Sequence, residues 1–293
     1  MNRRTFLGGA GLLTGLGALT TLTACGDEPE PTGKDEPTPE PTRKDSAMPE
    51  PTRHTYGEDP SQYADLHRPE GDPRGVVVVI HGGFWRSEYN AQDLGTPLAE
   101  ALAAEGWAAW NLEYRRVGDG QGGGGGTPTT FDDVAAGIDL LAELDLDLST
   151  VVTLGHSAGG HLGAWAAGRG ESGWANTVPV THVISQAGVL DLRAADAESL
   201  GGGAVQALLG HPATEADARY DPAQQLPLDV PVWCVHGTID GNVPFRQSAT
   251  YVERAIAAGA TAELVEVSGD HFVVIDPTSA AWTRQLEILD GIG

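Results

Sequence analysis

The stretch Val151-Val152-Thr153-Leu154-Gly155-His156-Ser157-Ala158-Gly159-Gly160 decides the architecture. A short apolar, β-branched run reads as a buried strand, and the small-residue segment from Ala158 to Ala167 reads as a helix. Between them lies a Gly-x-Ser-x-Gly turn. So sharp a turn excludes bulky neighbours, hence the glycines, and it leaves the serine standing clear of the sheet. The following helix aims its first amides at any negative charge that develops beside the serine. Ser157 is the candidate nucleophile, and the main-chain amide of Ala158 a candidate oxyanion donor.

Upstream, Arg74-Gly75 introduces Val76-Val77-Val78-Val79-Ile80. An unbroken β-branched run needs both faces covered, so this is a central strand of a mostly parallel sheet. Residues 91–105 read as one helix stopped by Gly106, and residues 107–112 as a strand. Residues 131–144 carry apolar positions at helical spacing, with Asp132 and Asp133 in the first turn, where the helix dipole favours acids. Residues 180–185, 230–236 and 262–267 supply further strands, and 246–258 and 280–289 further helices. Alternating strands and helices predict a doubly wound α/β sheet, in which function gathers at the carboxyl ends of the strands. The run of glycines within residues 118–126 reads as a mobile surface loop. Residues 191–229 read as a short lid or insertion over the site.

At the end of the Val76 strand stands His81-Gly82-Gly83-Phe84-Trp85. Glycines here let backbone approach a substrate closely, so the amides of Gly83 and Phe84 join that of Ala158 as the candidate oxyanion hole. Phe84 and Trp85 either line the pocket mouth or pack the loop.

Together with Gly155-His156-Ser157-Ala158-Gly159-Gly160-His161-Leu162, this loop resembles the α/β-hydrolase superfamily. More narrowly it is similar to the branch of kynurenine formamidases and bacterial carboxylesterases of the hormone-sensitive-lipase type. Tyr56-Gly57-Glu58-Asp59-Pro60-Ser61-Gln62 fits that branch too, so the resemblance spans roughly residues 56–290.

A serine needs a base, and the base an orienting acid, in the chain order serine, acid, histidine. Of the nine histidines, His54 and His67 precede the expected core, and His81, His156 and His161 belong to the two motifs. His182 and His211 lack a loop context, and His236 ends a strand ahead of the acid. His271, directly after the last strand, is the candidate base. Asp240, in His236-Gly237-Thr238-Ile239-Asp240-Gly241-Asn242-Val243-Pro244, resembles the family's acid loop. Asp270 and Asp191 are the competitors. The expected chemistry is acyl transfer through Ser157 without metal or organic cofactor. Cys234, inside a strand, is expected to be a core thiol.

The amino-terminal part belongs outside this domain. Arg3-Arg4-Thr5-Phe6-Leu7 resembles a twin-arginine export signal, although a general secretory signal also accommodates two arginines. The uncharged run that follows ends in Leu22-Thr23-Ala24-Cys25-Gly26, similar to a bacterial lipobox with Cys25 as the lipidated residue. Residues 1–24 are thus an expected export signal. Residues 25–53, where Pro29, Pro31, Pro37, Pro39, Pro41, Pro49 and Pro51 alternate with charge, are an extended tether. Residues 54–293 are the catalytic domain. These features predict an extracytoplasmic protein held at the membrane by its lipid anchor.

Composition sets outer limits. With 17 basic against 41 acidic side chains, the net charge of −24 argues against a nucleic-acid binder and disfavours polyanionic substrates. Two cysteines exclude a disulfide scaffold and a four-cysteine zinc site. The leading expectation is a serine hydrolase of small carboxylic esters. Hydrolysis of an N-formylkynurenine-type amide, acyl transfer or peptidase activity by the same triad, and a non-catalytic binding lipoprotein are the alternatives. The sequence does not specify an oligomeric state.

Overall fold

The computed structural model describes residues 49–292. The expected export signal, Cys25 and most of the expected tether lie outside the described residues. Eight strands, β1 (Thr52–Thr55), β2 (Tyr63–His67), β3 (Val76–Ile80), β4 (Ala108–Leu112), β5 (Val151–His156), β6 (His182–Gln186), β7 (Val232–Gly237) and β8 (Ala262–Val267), form one sheet in the order β1-β2-β4-β3-β5-β6-β7-β8. From β4 to β8 every pairing is parallel; β1 and β2 run antiparallel at one edge. The valine run sits between β4 and β5 with both faces buried, as its composition requires.

Alternation along β3 feeds two cores. Val76, Val78 and Ile80 face one side, where α3 (Thr129–Asp139), α4 (Ala158–Ala167) and α7 (Arg246–Ala257) pack around Trp110, Phe131, Trp165 and Tyr251. Val77 and Val79 face the other, where α2 (Thr96–Ala104) and α8 (Ala280–Ile292) contribute Leu98, Leu102, Trp282 and Leu289. Each such side chain contributes roughly 1.5–3 kcal/mol on burial. Two layers of helices thus clamp β3 and β5, the strands that carry the two glycine motifs.

Several expectations need correction. The helix expected over residues 91–105 is two, α1 (Ala91–Leu94) and α2, divided at Gly95. A Cβ there would lie 2.9 Å from the Ala91 carbonyl oxygen and closer still to Asn111 Oδ1. The strand edge begins at Thr52, ahead of the expected boundary at His54. Arg53 fixes it through two bonds to Asp65 (2.8 and 2.7 Å) while stacking on Tyr63 at 3.6 Å. His54 and His67 therefore belong to the sheet. The expected loose loop over residues 118–126 is wound against its own stem. Gly122 accepts from the Arg116 amide (2.7 Å), and the Gly125 amide donates back to Arg116 O (2.7 Å). Alternate glycines from Gly118 to Gly126 take positive φ, which explains a composition read from sequence as flexibility. No helix among the described residues is long and apolar enough to cross a membrane.

Candidate active site

Ser157 stands at the β5–α4 turn with φ 55° and ψ −116°, a region that costs a non-glycine residue about 1–3 kcal/mol. Its surroundings impose that conformation. A Cβ on Gly155 would lie 2.8 Å from Gly160 N, one on Gly160 2.7 Å from Gly188 Cα, and one on Gly159 2.6 Å from the His81 carbonyl. The glycines are needed for contact between α4, β3 and the loop after β6, as much as for the turn itself. Ser157 N donates to Gln186 O (2.8 Å). Although Ser157 occupies the N-cap position of α4, its hydroxyl makes no capping bond, so Oγ is left free for chemistry.

The second motif turns just as tightly. Gly83, Phe84 and Trp85 have φ of 110°, 54° and 55°. A Cβ on Gly82 would meet Ser157 Cβ at 3.0 Å, so this loop lies directly against the serine. Among the described residues the amides of Gly83, Phe84 and Ala158 have no protein acceptor, which suits donors kept for an oxyanion. A buried network anchors the loop. His81 lies between two acceptors, with Nδ1 2.8 Å from Gly82 O and Nε2 3.1 Å from Glu113 Oε1; the Ala91 amide donates to Glu113 Oε2 (2.9 Å), and Arg116 pairs with the same carboxylate. Tyr114 stacks on His81 at 4.5 Å and donates to its carbonyl (2.8 Å).

Of the two aromatic residues, only Phe84 is partly exposed, packed against Gly201. Trp85 is fully buried and donates from Nε1 to His161 Nδ1 (3.2 Å), while His161 Nε2 donates to Tyr220 O (2.8 Å). Trp85 therefore packs the loop and does not line a mouth. Burial pushes His161 down to about 4, keeping it neutral. The segment 191–229 forms short helices, α6 (Ala204–Leu209) among them, that contact Arg86, directly after this loop, and Thr127, directly after the glycine run. Arg86 donates to Gly201 O, and Thr127 N and Oγ1 donate to the Leu208 and Leu209 carbonyls (2.9 and 3.2 Å).

Asp240 and His271 come together at the ends of β7 and β8. His271 Nδ1 donates to Asp240 Oδ2 at 2.6 Å, and Asp240 Oδ1 accepts from the amides of Asn242 and Val243, both at 2.8 Å. Burial raises the pKa of this carboxyl, but the bonds from His236, His271 and the Val243 amide outweigh it and hold the group well below the usual carboxylate range. His156 Nε2 donates to the His271 carbonyl (3.0 Å), with the two rings 4.5 Å apart. Burial, helped by the neighbouring His271, pushes His156 down to about 3. No hydrogen bond joins Ser157 Oγ to His271 among the described residues.

The competing acids are occupied elsewhere. Asp270 is exposed and accepts from the Phe272 amide (3.0 Å). Asp191 caps the helix α5 (Leu192–Ala197) and pairs with Arg254 (2.8 Å). Cys234 is a buried free thiol whose pKa burial pushes up to about 12. Two residues escaped the sequence reading. His236, which ends a strand ahead of the acid, lies 3.1 Å from Asp240 Oδ2. Glu113 follows β4 with no motif to mark it. A cavity of about 880 Å³ lies at the other end of α4, lined by Gly168, Arg219, Gln225 and Val230 among others and by none of Ser157, Asp240 and His271.

A serine elbow, a glycine loop beside it and a buried acid–histidine pair, all at the carboxyl edge of a mostly parallel sheet, define an α/β-hydrolase fold. The chain belongs to the BD-FAE family, whose model matches residues 64–254. That match includes Ser157 and Asp240 and ends before His271. Among curated relatives, Esterase LipC of Mycobacterium tuberculosis is 28% identical over 222 residues, 68% of this chain and 53% of LipC. The isoprenylcysteine alpha-carbonyl methylesterase ICME of Arabidopsis thaliana is 25% identical over 244 residues, 73% of this chain and 54% of ICME. The chain thus spans about half the length of the curated relatives it matches. Among solved structures, Thermogutta terrifontis esterase 2 phosphonylated by sarin superposes with a TM-score of 0.67 at 24% identity, covering 85% of this chain and 96% of that one.

Proposed function

We propose that this chain is a carboxylesterase-like serine hydrolase that cleaves small carboxylic esters through an acyl-enzyme. The observation that carries the reading is the 2.6 Å bond from His271 Nδ1 to the buried Asp240 carboxylate, set beside a strained serine whose hydroxyl is uncommitted. A carboxylate at Nδ1 leaves the lone pair of Nε2 free to take the Ser157 proton. Oγ then attacks the ester carbonyl, and the amides of Ala158, Gly83 and Phe84 receive the negative charge that develops on its oxygen. Each such donor lowers the barrier by roughly 3 kcal/mol. The imidazolium of His271 protonates the leaving alcohol, and the same nitrogen activates the water that releases the acid.

The esterase names of LipC and ICME support this reading. The test is turnover of p-nitrophenyl acetate, butyrate and octanoate, beside N-formylkynurenine, by the full chain and by Ser157→Ala. Serine-dependent ester turnover with covalent fluorophosphonate labelling is the expected result. Faster turnover of N-formylkynurenine than of any ester would move the activity to the arylformamidase branch that the His81–Trp85 loop resembles. Neither turnover nor labelling would leave a binding lipoprotein on a hydrolase scaffold.

We further propose that Cys25 is lipidated after removal of residues 1–24 and that the domain works outside the cytoplasmic membrane. The twin arginines, the lipobox-like Leu22–Gly26 and the proline-rich tether support it together. Metabolic labelling with a palmitate analogue, lost in Cys25→Ser, is the expected result; labelling retained in that variant would overturn the assignment.

A further inference from the structure

We propose that His236 is a positioning residue that holds the catalytic acid from behind, extending the Ser157–His271–Asp240 line by a fourth member. The inference rests on the serine-hydrolase reading above. His236 is fully buried at the end of β7. Its Nε2 donates to Val243 O (3.0 Å) and lies 3.1 Å from Asp240 Oδ2. The Val243 amide in turn grips Asp240 Oδ1 (2.8 Å). One imidazole N–H thereby closes the acid loop and faces the same carboxylate oxygen that receives His271.

Nε2 faces only acceptors, Val243 O and Asp240 Oδ2, which places the ring proton there; on the far side of the ring Nδ1 then accepts from Ser248 Oγ at 2.7 Å. Phe245 packs edge-on at 5.4 Å and limits rotation. The chain of contacts runs from α7 through Ser248, His236 and Asp240 to His271, and every link is buried. The titratable groups around His236 are Asp240 in its own loop, His271 after β8, His156 at the end of β5, Cys234 on the same strand and its β8 register partner Glu266. Among them Asp240 alone comes within 4 Å as an ionic partner.

Two consequences separate positioning from mere packing. Without the His236 N–H, the acid loop loses its tie at Val243 O, and Asp240 and His271 turn together out of line with Ser157, so kcat falls while KM is little changed. The carboxylate also loses a neighbouring dipole, and its bare charge holds the protonated form of His271 more strongly. The acid limb of kcat/KM therefore moves to higher pH.

The experiment uses the full chain with p-nitrophenyl acetate, comparing wild type, His236→Leu, His236→Gln and Ser248→Ala. A fluorophosphonate probe reports Ser157, and circular dichroism with thermal melting reports folding. For His236→Leu we expect kcat to fall roughly tenfold to a hundredfold, the loss of one hydrogen bond to a charged group, with the acid limb moved upward. Glutamine retains an N–H at a similar reach, so His236→Gln should recover most of kcat and the original acid limb. Ser248→Ala frees the ring behind and should shift both quantities in the leucine direction, by less; this variant decides the matter if His236→Leu does not fold. Wild-type kcat and acid limb in folded His236→Leu overturn the inference while labelling leaves the hydrolase reading standing. So do equal losses in the leucine and glutamine variants with an unmoved acid limb. Absence of labelling in the wild type overturns both.

Discussion

Placing one methyl group at Gly159 should test both the structural function of α4 and the catalytic one proposed for its first turn. A Cβ there would lie 2.6 Å from the His81 carbonyl oxygen and closer still to that of Ile80. Ordinary contact begins at about 3.5 Å, so the first turn of α4 must withdraw from β3 by about 1 Å. Both obstacles are backbone, the last residue of a central strand and the one after it, and cannot swing aside as a side chain would. Overpacking of this kind costs about 3 kcal/mol or more, a fall in melting temperature of roughly 6–12 °C for a domain of this size. The same displacement carries Ser157 and the Ala158 amide away from the Gly82–Phe84 loop, and a misplacement of about 1 Å is worth on the order of a hundredfold in rate.

Gly163, one turn further along the same helix, is the internal control. A Cβ there would meet Thr153 Cβ and Oγ1 at 3.3 Å and Ile80 Cδ1 at 3.8 Å, contacts that small side-chain adjustments absorb. Alanine is also the better helix former by up to about 1 kcal/mol. Gly163→Ala should therefore melt within a few degrees of wild type and keep its activity. The assay pairs thermal unfolding with the rate of fluorophosphonate labelling and of p-nitrophenyl acetate turnover. A Gly159→Ala protein that melts and labels like wild type would refute the claim that α4 is pressed onto β3 by its glycines.

Other perturbations test the remaining parts. Asp240→Asn should lower kcat by about 10⁴ through loss of the correct His271 tautomer, whereas Asp270→Asn, whose carboxylate only bonds the Phe272 amide, should leave kcat unchanged; equal effects would reassign the acid. His156 and His161 are neutral in the folded chain because burial lowers them to about 3 and about 4 from an ordinary 6.5. The unfolded chain takes up those protons first, so stability is lost as pH falls below 6.5. The loss by pH 5 is on the order of 2 kcal/mol for each ring, and urea midpoints that do not change between pH 7 and 5 would contradict it. The contribution of Asp240 has the opposite window, present above its ordinary 3.8 and lost only in stronger acid. Trp85→Phe removes the donor to His161 Nδ1 and should cost about 1–3 kcal/mol, read as a lower denaturant midpoint.

What the sequence made legible follows the physics of each feature. The β3 and β5 strands and α4 were readable because continuous β-branched runs and a glycine-flanked serine have few other uses. Their ends fall within a residue or two of expectation for local reasons. The antiparallel edge β1–β2 was not readable: Thr52–Thr55 is short, mostly exposed and preceded by prolines, and its pairing depends on Arg53 reaching Asp65 across the hairpin. The glycine run from Gly122 to Gly126 was misread because composition reports permitted conformations, not the carbonyls and amides that select one.

The candidate site was legible in the groups proposed to react and illegible in their support, and the difference is spatial. Ser157, Asp240 and His271 each follow a strand, so chain order and strand ends were enough to pick them out. Glu113 and His236 act through neighbours that only the fold provides. Glu113 gathers His81, Ala91 and Arg116 from three separate segments around one buried carboxylate, and that gathering holds Phe84 and Trp85 at positive φ. An isolated buried charge would be expensive; shared among these partners and the Tyr114 amide (2.9 Å), it ties the candidate oxyanion loop to the sheet. His236 does the same for the acid loop. Strain at Ser157, Phe84 and Trp85 can therefore persist only because polar networks on both sides over-determine the backbone. Cutting either network should loosen the site before it unfolds the domain.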